Sequence, residues 1–374
     1  METQLQQQAI LGADSKVDTT TPFQLGWRKF RSRKIAMIGL IALTLMYVFC
    51  IFCGFFAPYA ISEPTQYKYH PPQRIHFVDS EGRFSLRPFV YGIESQMDPE
   101  TFIEEYTEDT SRKYHLRFFV RGSEYKLLGF IPTDVHFLGV EDGGHIFLLG
   151  TDFRGRDILS RTLYGGRVSL TIGMVAVITS LILGAVLGTV SGYFGGAVDM
   201  VVQRIAEFIM SFPRLPLWLT LAAALPPQWS SVAIYFGIVM VLAVIGWTSL
   251  ARQIRAMVLS IRSREFCLAS KAGGGRFGWI MRKHLIPNVM SHIIVVGTLG
   301  LPAAILTEST MSFLGLGIRP PMTSWGALLQ DAQNLQAILL YPWLLFPAIF
   351  IIVSVLSFNF IGDGLRDAAD PFEY

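Results

Sequence analysis

The stretch "SLTIGMVAVITSLILGAVLGTV", Ser169 to Val190, runs for 22 residues without a charged side chain. At about 1.5 Å per helical residue it is long enough to cross the roughly 30 Å hydrocarbon core of a bilayer. Within it Ala176, Ser180, Gly184 and Gly188, continued by Gly192, recur every four positions. Residues at that interval share one helix face, and a face of small side chains lets a neighbouring helix come close in lipid. The stripe fits a helix contact in a transport domain and a general packing seam equally well.

Five further apolar runs have spanning length: Ile35 to Ala57, Phe208 to Leu225, Val232 to Leu250, Val289 to Thr307 and Ala337 to Ile361. With 51% hydrophobic and 16% charged residues, and a mean hydropathy of +0.43, the chain has too little polar surface for a soluble globule of 374 residues. A net charge of +3 gives no reason to expect nucleic acid as a partner. The basic residues cluster instead. Five fall in "WRKFRSRK" before the first run, and eight lie between Arg252 and Lys283 against one acid, Glu265. The positive-inside rule puts both segments in the cytoplasm, and six spans then place both termini there. The first 22 residues are polar and the first apolar run is longer than the core of a cleaved signal, so that run is expected to stay as an anchor.

Four regions follow: a cytoplasmic segment 1–34, a first span 35–57, an insert 58–150, and a core 151–374 with a cytoplasmic loop near 252–288. In the insert, "RIHFVDSEGRFSLRPFVYG", "KYHLRFFVRGSEYKLLGF" and "HFLGVEDGGHIFLLG" show β-prone runs broken by Gly with Ser, Glu or Asp. That pattern predicts hairpins in a small extracytoplasmic β-rich domain, with a short helix at Pro99 to Thr107. Its aromatics suit either a β core or a docking surface.

No G-x-x-x-x-G-K-[ST] loop occurs, the seven histidines do not pair at metal-ligand spacing, and no G-x-S-x-G elbow appears. The chain is therefore expected to be no enzyme and to carry no catalytic group, metal or cofactor. Cys50 and Cys53 form a C-x-x-C inside an apolar run, which reads as two small helix residues, and Cys267 reads as structural. Arg204 and Glu207, three apart, share a helix face and are placed to pair, although interfacial snorkelling explains Arg204 as well. Glu308, near the end of the fifth run, either lines a path through the membrane or caps the chain's return to water.

Between the fourth and fifth runs lies "SREFCLASKAGGG", Ser263 to Gly275. Arg264 to Lys271 suits two helical turns, and Gly273 to Gly275 would stop them. A short free helix with small side chains fits a groove on another protein.

"REFCLASKAGGGRFGWIMRKHLIPN" resembles the EAA loop of binding-protein-dependent ABC importer permeases. Leu268, Ala269 and Ser270 take the Glu-Ala-Ala positions, Gly274 the glycine, and His284 to Pro287 the Ile-x-Leu-Pro ending. Leu268 and Ser270 depart from the pattern, and Glu265 is the one acid nearby. "LGTDFRGRDILSRTLYGGRVSL", "SGYFGGAVDMVVQRIAEFIMSFPRLPL", "ILTESTMSFLGLGIRPPMTSWG" and "FIGDGLRDAADP" resemble the dipeptide and oligopeptide branch, in its DppC/OppC-type subunit. The likeness covers Trp27 to Ala57 and Leu149 to Pro371, and the insert departs from it.

The resemblance implies an all-α polytopic protein with six transmembrane helices of the type I ABC importer permease kind. It implies a peptide permease in a bacterial or archaeal cytoplasmic membrane, with no ATPase site of its own. Its expected partners are membrane lipid, a second homologous permease, two ABC ATPase subunits carrying ATP and Mg, and an extracytoplasmic solute-binding protein. Arg264, Glu265, Leu268, Ala269, Ser270, Gly274, His284 and Pro287 would form the contact with an ATPase subunit. Arg154, Arg156 and Asp157, with Arg161 and Asp152, would pair in a gate region or face acids of the binding protein. Relatives of this kind also carry nickel, opines or oligosaccharides, and a channel or secondary transporter is the rival class. A membrane anchor or receptor would not need the basic, glycine-stopped loop.

Overall fold

The computed structural model describes residues 22–100 and 104–369. Residues 1–21 of the expected cytoplasmic segment, the middle of the expected helix at Pro99 to Thr107, and the last five residues lie outside this range.

Helix α1 (Pro22–Ser32) lies beside the first span, α2 (Lys34–Ile51), which continues after Phe52 into α3 (Cys53–Phe56). The long helices of the core are α4 (Ile158–Phe194), α7 (Ser231–Ile261), a helix running from Phe277 to Phe313, and α13 (Phe346–Ala369). Five helices among the described residues are long and apolar enough to cross a membrane, and a bent pair makes up to six.

That pair corrects the expected third span, Phe208 to Leu225. The apolar window straddles two helices, α5 (Gly196–Met210) and α6 (Arg214–Ala223), which meet at 88°. Pro213 is the cause: it lacks an N–H and biases its predecessor away from helix, and it sits extended at φ −60°, ψ 127° as the N-cap of α6. The sixth window also began too early. Residues Leu335–Leu340 form a separate short helix, α12, that ends at Tyr341 (φ −130°, ψ 62°), and α13 starts only at Phe346.

The stripe on α4 is a seam against α7. A methyl at Gly188 would stand 2.5 Å from the Ala251 carbonyl oxygen, and one at Gly192 would stand 2.8 Å from that of Arg255. Such backbone approach leaves no room for a side chain, so Gly188→Val should prise the two spans apart. Overpacking of this kind costs about 1–3 kcal/mol or more. The expected outcome is a lower unfolding temperature and reduced yield of the intact chain from membranes. An unchanged melting profile would contradict the seam.

The insert is a four-stranded antiparallel meander in the order β1 (His76–Val78), β2 (Phe84–Met97), β3 (Glu104–Leu127), β4 (Ile131–Val140). The expected short helix is overturned where it is described, since Glu104 to Thr107 pair with Met97 to Glu94. Ladder hydrogen bonds satisfy that backbone, overriding a weak helical propensity. The aromatics divide between core and surface. Phe89, Tyr91 and Phe147 are buried, whereas Phe118, Phe119 and Phe130 are exposed.

His70 ties the insert to the core: its N–H donates to Thr151 Oγ1 (2.8 Å) and its carbonyl accepts from the Thr151 N–H (2.9 Å). Burial pulls its imidazole down to about 4 from 6.5. The folded state therefore resists protonation. The stability held by the neutral ring is complete above pH 6.5 and is lost as the pH falls from 6.5 towards 4. The full loss is about 3 kcal/mol. Amide exchange at residues 67–70 should accelerate over that window in the wild type relative to His70→Asn, and parallel profiles would refute the assignment.

Candidate coupling helix and membrane cavity

Helix α8 (Glu265–Ala272) follows α7 after a turn at Arg262 to Arg264. Glu265 in its first turn and Lys271 in its last both favour the helix dipole. Gly273 is its C-cap, and Gly274 takes φ +81°, a left-handed conformation that suits glycine. The Gly275 N–H then returns to the Ser270 carbonyl at 2.9 Å.

Cys267 is the one buried residue of α8. It joins Ile254, Val258, Ile280, Leu285 and Val289 in an apolar cluster, so α8 rests on the ends of the neighbouring spans through a single knob. The rest of α8 faces outward: Arg264, Glu265, Leu268 and Ala269 are exposed, and Ser270 is half-buried. Phe266 and Leu268, with Trp279 beyond the glycines, present exposed apolar surface. Ser270, Gly273 to Gly275, Arg276 and Trp279 line an open cleft of about 530 Å³. His284 sits between Phe266 and Trp279, with ring centroids 5.7 and 5.1 Å away. Pro287 is exposed in the first turn of α10 (Ile286–Phe313), the main part of the Phe277–Phe313 helix, which is entered through α9 (Phe277–Ile280) and a π-helical turn at Met281–Leu285. The structure thus gathers the predicted loop residues at one end of the bundle.

Two contacts that the sequence reading did not identify stiffen this end. The Arg262 guanidinium donates to the carbonyls of Gly192 (2.9 Å) and Tyr193 (3.0 Å), the last turn of α4. Arg255 makes two hydrogen bonds to the Asp199 carboxylate at 2.5 Å, and Asp199 also accepts from Ser191. Both arginines stood out as positive charges, but their partners are more than 50 residues away and no local pattern names them. Arg204 and Glu207 pair as expected, at 3.0 Å on an exposed face.

Midway along the bundle, α4, α6, α7 and α10 enclose a cavity of about 170 Å³. Ala176, Ser180, Trp218, Gly246 and Thr307 line it, with Arg214 its one charged lining residue. Trp218 and Arg214 come from the half-helix after the bend; broken backbone at membrane depth is tolerated where it borders a cavity.

Glu308 does not line that cavity. It is fully buried, and its carboxyl accepts from the hydroxyls of Ser169 (2.8 Å) and Ser312 (2.7 Å). Ser169 in turn accepts from the Trp325 N–H, and the Trp325 indole donates to the Thr162 carbonyl. This polar knot fastens α10, α4 and the short helix α11 (Trp325–Leu329).

At the insert end, Asp152 is the hub. Its carboxylate accepts from the backbone N–H groups of Arg154 and Arg156, from Arg156 Nε at 2.8 Å and from the Arg161 guanidinium. Arg161 also approaches Asp331 at 3.8 Å. Arg154 lies over the Phe153 ring. Asp157 has a different role from its arginine neighbours: it is the N-cap of α4, accepting from the Ser160 N–H (2.7 Å) and hydroxyl (2.6 Å). Burial pushes the Asp157 carboxyl up to about 6. Asp331 also rises to about 6, burial outweighing the attraction of Arg161.

With this geometry in place, the family described as "Binding-protein-dependent transport system inner membrane component" matches residues 180–372. The chain belongs to that family. A second family, the "N-terminal TM domain of oligopeptide transport permease C", matches residues 21–72 of this permease. The permease is 34% identical over 365 residues to a dipeptide transport system permease protein, DppC, of Lactococcus lactis, covering 96% of this chain and 94% of that one. It is 41% identical over 223 residues to the oligopeptide transport system permease protein OppC of Bacillus subtilis, covering 59% and 70%. The OppC of Escherichia coli K12 is 41% identical over 231 residues, 62% and 73% of the two chains. The Lactococcus alignment is long enough to include much of the insert, whereas the Bacillus and Escherichia ones are too short to cover the whole chain.

Proposed function

We propose that this permease is the membrane subunit of an ATP-driven importer of di- or oligopeptides, with α8 as the helix that an ATPase subunit grips. A single observation carries the reading: α8 is anchored by one buried residue, Cys267, while Phe266 and Leu268 stand exposed beside a cleft at the basic end. An exposed apolar patch on a stiffly seated helix is the form of a protein contact. The basic residues around it support a cytoplasmic position for α8 and for both termini.

In this reading the chain itself hydrolyses nothing. Two ATPase subunits with their ATP and Mg supply the work, a second permease completes the pore, and an extracytoplasmic binding protein delivers the peptide. Closure of the ATPase pair moves α8 as a rigid lever, and the ties from Arg262 and Arg255 pass that movement to α4 and α5. The relatives named for dipeptides and oligopeptides support a peptide as cargo.

Affinity purification of the tagged chain in mild detergent, with ATP hydrolysis assayed on the product, tests the proposal. A second permease and ATPase subunits should co-purify, with hydrolysis stimulated by a peptide-loaded binding protein. A homo-oligomer without ATPase would overturn it in favour of a channel.

A further inference from the structure

The β3–β4 hairpin of the insert is built in an unusual way for a domain facing water. Its strands pack across the end of the first span, and from His136 to Tyr125, nearer the tip, the contact moves from Ala57 to Gly54. His136 Nδ1 meets the Ala57 carbonyl at 2.6 Å. Phe119 and Phe137 lie against Phe55, with ring centroids 6.1 and 5.8 Å away. Tyr125, further along, fills the space where a side chain on Gly54 would stand. Because Lys34 opens α2 and about 20 helical residues cross the hydrocarbon core, Gly54 lies at the membrane interface. The tip, three residues beyond Tyr125, continues past that level.

The tip is apolar. Between Lys126 and Pro132 the sequence is Leu-Leu-Gly-Phe-Ile, and Leu128, Phe130 (71% exposed) and Ile131 show their side chains outside the fold. Lys126 is the one charge there, on a stem long enough to reach the headgroups. The backbone is held against local preference to achieve this. Leu128 and Phe119 both take left-handed φ, +53° and +59°, where Gly or Asn is usual. At Phe119 the distortion replaces strand alternation, leaving the adjacent Phe118 and Phe119 both exposed and both beside Phe137. Through Phe56, whose ring centroid lies 5.6 Å from that of Phe137 and 4.7 Å from that of Phe49, the exposed rings of the hairpin connect to the exposed Val48, Phe49 and Ile51 of α2.

We infer that the β3–β4 hairpin is a membrane-dipping element, its tip at Leu128 to Ile131 lodged in the outer-leaflet interface beside the first span. It fixes the tilt of the insert over the pore. The occupant is lipid, since the tip from Leu127 to Ile131 is apolar, sits beside the apolar first span, and is flanked by one charge, Lys126, that suits the headgroup layer.

Nitroxide labelling of Phe130→Cys in the full complex, in nanodiscs of phosphatidylethanolamine and phosphatidylglycerol, tests this by collision with oxygen and with a water-soluble nickel chelate. The native cysteines are buried, and the unlabelled parent gives the background. Oxygen collisions should exceed nickel collisions several-fold at position 130, with the order reversed at Ser111→Cys, an exposed position before the ladder resumes. Nickel predominating at 130 would place the tip in water and overturn the inference. Low collision rates with both reagents would also overturn it, by showing the tip packed against another polypeptide.

Discussion

Leu268→Lys should cut ATP-driven uptake by about 100-fold while leaving the permease folded in the membrane. Leu268 is 52% exposed, so the fold loses little, and exposed substitutions usually stay within about 0.5 kcal/mol. A desolvated ammonium group in the middle of an apolar contact is a different matter. Removal of a buried interface anchor costs about 2–4 kcal/mol, and roughly 3 kcal/mol corresponds to about a 100-fold weaker seat. The check is paired: peptide uptake and stimulated ATP hydrolysis in proteoliposomes, beside the thermal unfolding of the purified permease. Retained uptake would mean that α8 does not carry the contact. Leu268 stands where the family pattern has glutamate, so the test uses a basic side chain and not an acid.

Asp152→Ala is expected to have the largest effect on stability. The Asp152 side chain is almost fully buried and answers two guanidinium groups and two backbone N–H groups. Its loss strands Arg161, itself buried, beside Arg156. Removal of one partner from a buried ion pair costs about 3–5 kcal/mol, because the remaining charge keeps its desolvation penalty. The unfolding temperature should fall by about 5 °C. Asp331→Ala should do far less, since it lies 3.8 Å from Arg161 and is less buried. Equal losses in the two variants would show that the hub has been misassigned. The neighbouring Asp157 and Asp331 are pH-dependent: with folded values near 6, their contribution is complete below about 3.8 and falls as pH rises to 6.

Much of this was legible in the sequence, for physical reasons. Uncharged runs of spanning length have few alternatives to a membrane helix, and the four-residue stripe on α4 named its seam without naming α7. Helix α8 was readable because its stop is local: Gly273 to Gly275 act through their own φ angles. The third span was misplaced because hydropathy averages over a window and ignores what Pro213 does to Phe212. The helix proposed near Pro99 failed because pairing with β2 supplies that backbone's hydrogen bonds. Glu308 was singled out by charge alone, but its position behind Thr307 depends on Ser169, 139 residues away. The arginine hub was half visible: the charges were evident at 152 to 161, but which acid takes which role rests on Asp157 preceding the first turn of α4.

The central claim is that α8 is seated on an ATPase subunit, and a photoreactive benzoyl-phenylalanine at position 268 tests it most directly. Irradiation of native membranes should give one main adduct between this permease and an ATP-binding polypeptide, its yield changing when ATP hydrolysis is trapped. Adducts to lipid alone, or to the same polypeptides with and without the ATPase subunits present, would contradict the account.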